Sequence, residues 1–125
     1  MRERLDERAR RCGLPERTLA QRYLEEGLRH DAHPLIHFLD GPSGRRASLI
    51  GRGLDVWEVI ATVRDNDGST PEAAAYLRVP VGLVEAAVSY FGEHRDEIDR
   101  EIELNDAEYQ RGRAAAANGE RALRA

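Results

Sequence analysis

Lysine is absent from this chain, and cysteine and tryptophan occur once each, as Cys12 and Trp57. All 19 basic residues are therefore arginines, whose planar guanidinium forks suit bidentate pairing with carboxylate or phosphate. A single cysteine excludes an internal disulfide and any cysteine-based zinc site. No apolar run approaches the ~18 residues that a membrane span needs, and the opening RERLDERARR lacks the apolar stretch of a secretory signal. These absences lead to the expectation of a cytoplasmic protein with no membrane partner. Aromatic residues make up only 6% and charged residues 34%, so a modest core must carry much solvated helix surface. The net charge of −4 argues against a uniformly basic nucleic-acid binder. At 125 residues the chain is one domain, or one small domain with appendages.

What charge there is falls unevenly. Arg45, Arg46 and Arg52 sit in a stretch without acids, whereas Glu93 to Glu108 holds eight acidic residues against two arginines. The centre of the chain is the most regular. Val56, Val59, Ile60 and Val63 recur at the spacing of one helix face. Asp65-Asn66-Asp67-Gly68 stops that helix. Ser69 or Thr70 caps a second, with Pro71 in its first turn and Glu72 three residues after Ser69. Arg78-Val79-Pro80 forms a tight turn into a third, whose Val84, Ala87, Val88 and Phe91 share a face. A small residue at the crossing (Ala74), an apolar one in the turn (Val79) and a β-branched one five residues on (Val84) fit a helix-turn-helix. The turn position usually held by glycine is Arg78, which must then accept a positive φ. The third helix offers Glu85, Ser89 and Tyr90 to bases but no Arg, Asn, Gln or Lys before Arg95, a poor set for base readout. Trp57 is expected as a core or interface anchor.

Upstream, residues 2–29 read as two helices broken at Gly13. Leu5, Ala9 and Cys12 line the first, and Leu19, Tyr23 or Leu24, and Leu28 line the second. The pair resembles the helices of a ribbon-helix-helix repressor without its preceding strand; an amphipathic hairpin packed on the main domain has equal claim. Next, Leu35–Phe38 and Ala47–Ile50 read as short strands around the turn formers Asp40-Gly41-Pro42-Ser43-Gly44. GPSGRR is not a phosphate loop: the spacing is short and the lysine is missing. After Phe91 the third helix continues or restarts through Leu104 on Ile98 and Ile102. The last residues, with Tyr109 and Leu123 as their main apolar side chains, are expected to be flexible or frayed alone and to order on a partner.

No catalytic set emerges. His30, His33 and His37 lie close in sequence, but Pro34 and the β-like run after it speak against a helix presenting them together, and no carboxylate or cysteine completes a set. Ser43, Ser48 and Asp40 form no nucleophile–base pair. The acidic 93–108 run reads as a solvated helix face. The expectation is a protein that is not an enzyme and uses neither metal nor cofactor.

Taken together, HPLIHF, GRRASLIGRGLDVWEVI, PEAAAYLRV and LVEAAVSYF resemble the domain of unknown function numbered 433, over about His33 to Ile102. That is a small winged-helix-like antitoxin family found beside PIN-domain ribonucleases of the VapBC type. The resemblance implies a mainly α fold with a small β-hairpin: a helical dimerisation segment over 1–30, a winged helix-turn-helix unit over 31–102, and a toxin-binding tail over 103–125. It implies an antitoxin that silences a PIN-domain ribonuclease and represses its own operon, as a homodimer or a hetero-oligomer with the toxin. A PIN nuclease gathers carboxylates to hold magnesium, and an arginine entering that site can displace the cation. Arg111, Arg113, Arg121 and Arg124 are the candidate toxin contacts, with Arg111 or Arg113 as the plug and Tyr109 as anchor. Arg45, Arg46, Arg52 and Arg78 are the candidate contacts to operator DNA. A free-standing transcriptional regulator and a helical dimerisation module stay open as other classes.

Overall fold

The computed structural model describes residues 1–41 and 44–125. Pro42 and Ser43, part of the expected turn, lie outside the described residues. The fold is mainly helical with one small antiparallel hairpin. Helices α1 (Arg2–Cys12) and α2 (Glu16–Ala32) come first, then strands β1 (Ile36–Gly41) and β2 (Gly44–Leu49). Helices α3 (Val56–Asp65), α4 (Thr70–Leu77), α5 (Val81–Glu93) and α6 (Arg95–Arg124) follow.

Gly13 ends α1 in the left-handed conformation at φ 67°, its N–H turned back to the carbonyls of Ala9 and Arg10, which is the usual role of a glycine at this position. The second helix runs past the expected stop near Arg29 and ends at Ala32, just ahead of Pro34. Its inward face also differs from the expectation. Leu19 is buried, but Tyr23, Leu24 and Leu28 are exposed, as is Cys12 on α1. Apolar spacing alone cannot say which of two faces meets the body. Here the half-buried Arg22, Glu26 and Arg29 turn inward instead, and Glu26 and Arg29 meet ionic partners there.

The hairpin pairs Ile36 with Leu49 and Phe38 with Ala47. With a period of two, these four residues share the face toward the helices, where Ile36, Ala47 and Leu49 are fully buried. Ser48 closes the exit of β2, its Oγ donating to the Leu54 carbonyl at 2.9 Å. Asp55 then leads into α3, and its N–H donates to Glu58 Oε1 at 3.0 Å, an N-terminal arrangement of capping-box type.

The core joins the hairpin to Val56, Val59 and Ile60 of α3, Ala73 and Ala74 of α4, Val84, Ala87 and Tyr90 of α5, and Ile98 of α6. Val63, Val88 and Phe91 are half-buried at its edge. Ser69 Oγ accepts from the Glu72 N–H at 3.2 Å, fixing the start of α4 as its sequence required. Between α4 and α5, Arg78 takes φ 58° and ψ 47°, so the helix-turn-helix keeps its standard turn with a non-glycine residue. A left-handed L-residue costs about 1 kcal/mol. Arg78→Gly should therefore raise stability by about 0.5 kcal/mol once the larger unfolded-state entropy of glycine is subtracted. Urea denaturation checks it; a loss of 1 kcal/mol or more would mean that the Arg78 side chain holds the turn.

The tail expected over 103–125 falls within the last helix. That helix is a single one of 30 residues through Arg124, roughly 45 Å at 1.5 Å per residue. It restarts at Arg95 after His94 breaks from α5. Four consecutive alanines favour helix strongly enough to carry it over Gly112 and Gly119.

Candidate functional site

The densest polar arrangement lies where α2, α5 and α6 meet. Arg29 reaches across from α2 and donates from Nη1 to Tyr90 Oη at 3.1 Å and to Glu97 Oε1 at 2.8 Å. Tyr90 in turn donates to Glu97 Oε2 at 2.6 Å. The Tyr90 ring is fully buried, so its hydroxyl must find a partner inside the protein. Burial, then the bond to Glu97, pushes the Tyr90 pKa well up, and the residue remains a neutral donor. The sequence reading offered Tyr90 to bases; the fold removes it from any surface. It also turns Glu97 out of the supposed solvated acidic face and into this triad.

Beside the triad, His33 caps the end of α2 and His94 occupies the break between α5 and α6. The His94 ring lies 4.4 Å from the Tyr90 ring and 6.2 Å from the His33 ring, centre to centre. His33 Nε2 is 3.3 Å from Glu93 Oε2. Burial, reinforced by Arg29, lowers the His94 pKa. The histidines grouped by sequence part company: His30 bonds the Ile36 carbonyl at 2.8 Å, His37 lies on β1 opposite Ser48, and only His33 joins this junction.

Two of the four arginines expected to contact DNA are committed within the chain. Arg45 forks onto Glu26 with contacts of 2.6 and 3.0 Å and reaches Asp40 at 3.2 Å, and its pKa is raised mainly by the bond to Glu26. Arg46 Nε lies 3.2 Å from Asp55 Oδ1. A hairpin beside α2 and α3 draws its cations to their carboxylates, so Arg45 and Arg46 have ionic partners within the chain, with the Arg46 side chain still 37% exposed. Arg52 and Arg78 are exposed. The outer side of α5 presents Val81, Gly82, Glu85 and Ser89, which offers bases no strong donor.

The tail residues Tyr109, Arg111, Arg113, Arg121 and Arg124 are all exposed on α6. At 100° per residue, Tyr109, Arg113 and Arg124 share one face, while Arg111 points away from it. Arg113 stacks over the Tyr109 ring at 6.0 Å and donates to its hydroxyl at 3.4 Å. No family model, curated protein or solved structure matches this chain.

A groove of about 390 Å³ runs between the hairpin and α6, lined in part by Arg46, Asp55, Trp57, Glu101 and Leu104. Trp57 is half-buried there and donates from Nε1 to Asp55 at 3.2 Å. Burial first, then Glu97 and Asp55, pushes the Glu101 carboxyl up to about 7. An acid whose folded pKa exceeds its unfolded value loses stability as pH rises between the two. Glu101→Gln should thus stabilise the protein at pH 8 by about 1 kcal/mol, discounted for partial solvent exposure, and have little effect at pH 4. Thermal melts at the two pH values check this; equal effects would assign the gain to something other than charge.

Neither the His33–Glu93–His94 junction nor the Arg29–Tyr90–Glu97 triad was visible in the sequence, because each joins segments more than 55 positions apart. One signal was available: Tyr90 falls on the inward stripe of α5, three residues after Ala87, with Glu97 two turns further on.

Proposed function

We propose that this chain is an antitoxin-type inhibitor that binds a PIN-domain ribonuclease through the outer part of α6, with a helix-turn-helix body as its scaffold. The observation that carries the reading is the exposed stretch of α6 beyond Ile102. It presents Tyr109, Arg113 and Arg124 on one face while burying almost nothing of its own chain. An isolated helical segment of that length is marginal in water and gains most of its stability from packing. A partner surface would supply that packing, and an acidic metal site would favour the arginines. The motif resemblance read from the sequence over about residues 33–102 is what suggests the choice of partner.

Repression of the operon is the secondary part of this proposal. Exposed Arg52 and Arg78 remain to touch phosphates, and α5 contributes little to base readout, so DNA binding would be weak and steeply salt-dependent for the isolated chain. Leu24 and Leu28, each 70% exposed on α2, support self-association through the N-terminal helices. In this reading the protein makes and breaks no bonds.

The test is inhibition of a PIN-domain ribonuclease encoded in the same operon, measured by RNA cleavage against added protein. Stoichiometric inhibition is expected. Full cleavage at a large excess of protein, with no complex on gel filtration, would overturn the proposal.

A further inference from the structure

We infer that His33, Glu93 and His94 form a divalent-cation site for zinc, which clips the end of α2 to the break between α5 and α6. The ligating atoms of the three residues lie within 4.8 Å of one another. In a tetrahedral site with bonds of about 2.0 Å, neighbouring ligand atoms are about 3.3 Å apart. The His33 Nε2 to Glu93 Oε2 separation is 3.3 Å, which already matches one edge of such a tetrahedron. His94 completes a third corner through a ring rotation or a small shift at its break.

A second observation points the same way. His33 is 6% exposed, and its Nε2 has no hydrogen-bond partner of acceptable geometry. Buried polar atoms are nearly always satisfied, and this one faces a carboxylate and a second imidazole. Two imidazoles and one carboxylate are donors that zinc accepts readily, with a fourth position left for water. Glu93 is 63% exposed at its side chain, so the site opens to solvent on that side and an ion has a path in.

The surrounding charges permit a cation. Arg29 is the nearby positive group, and its charge is matched by Glu97 at 2.8 Å. With both imidazoles neutral, as metal ligands must be, Glu93 leaves the unloaded junction at net −1, and a divalent ion brings it to +1. Nothing near His33 in sequence completes a ligand set; here the carboxylate and second imidazole come from the end of α5 and the break that follows it. This inference does not rest on the antitoxin reading.

The experiment is equilibrium dialysis of the chelator-treated full chain against Zn²⁺ alone, with Cys12→Ser in every sample to remove the exposed thiol. The result expected is one ion per chain, a rise in melting temperature on loading, and tetrahedral absorption bands when Co²⁺ replaces Zn²⁺. Glu93→Ala and His94→Asn lie at exposed or half-buried positions and should keep the fold, checked by circular dichroism. Each should weaken binding by at least ~10-fold, while His37→Gln leaves it unchanged. Absence of saturable binding, or binding that both variants leave intact, would overturn the inference and make His33–Glu93 an ion pair only.

Discussion

Tyr90→Ala should destabilise the fold by about 4 kcal/mol. Truncating a fully buried aromatic ring costs about 3–5 kcal/mol through lost transfer energy and the cavity left behind. Tyr90 is fully buried between the hairpin and the last two helices, 6.2 Å from Phe38 and 5.2 Å from His33, ring centre to ring centre. Its hydroxyl also ends the hydrogen bonds from Arg29 and to Glu97. Tyr90→Phe keeps the ring and removes only those bonds, so it should cost about 1–2 kcal/mol. Urea midpoints at unchanged slope separate the two contributions. A Phe variant as unstable as the Ala variant would place the stability in the triad instead of the ring.

The second large effect concerns partner binding. Under the proposed function, deleting residues 104–125 should weaken inhibition of a PIN-domain ribonuclease by at least ~100-fold, an interface loss of about 3 kcal/mol. The truncated chain should melt close to the full one, because Ile98 and Ile102 stay in place against the core. Within the deleted part, Arg113→Glu should reproduce most of the loss and Arg111→Glu much less, since Arg111 faces away from Tyr109 and Arg124. Charge reversal leaves helix propensity nearly unchanged, so a lost helix would not explain the result. Undiminished inhibition by the truncated chain would move the binding surface onto the body.

The sequence was most informative where local chemistry decides structure. The stripe Val56, Val59, Ile60 and Val63 needed only helical periodicity, and the Ser69 cap and Arg78 turn needed only backbone geometry. The hairpin followed from strand formers on either side of turn residues, with its outer ends shifted by one residue and its inner ends running three residues further toward the turn. Reasoning from periodicity held for Leu19 but failed for Tyr23, Leu24 and Leu28 of α2, which are exposed, because the inward face carries Glu26 and Arg29 and their partners lie in β2 and α6. Nor did it show the partners that the fold gives Arg45 and Arg46 at Glu26 and Asp55. A run of cations without nearby acids in sequence is not a run without acids in space. The junction of His33, Glu93 and His94 depends on the α2 end meeting the α5–α6 break, a long-range contact that no window of adjacent residues contains.

The way α6 is held gives it a mechanical character. Its first turns are fixed to the body by Ile98, Ile102 and the Arg64–Asp99 pair, and the part beyond Leu104 projects past them. A tilt of about 10° of that outer part would sweep Arg124 through roughly 5 Å, given about 30 Å of helix. Whatever seizes the far end therefore pulls on the Ile98 and Ile102 anchorage with considerable leverage, and whatever fixes that anchorage sets where the far end can reach.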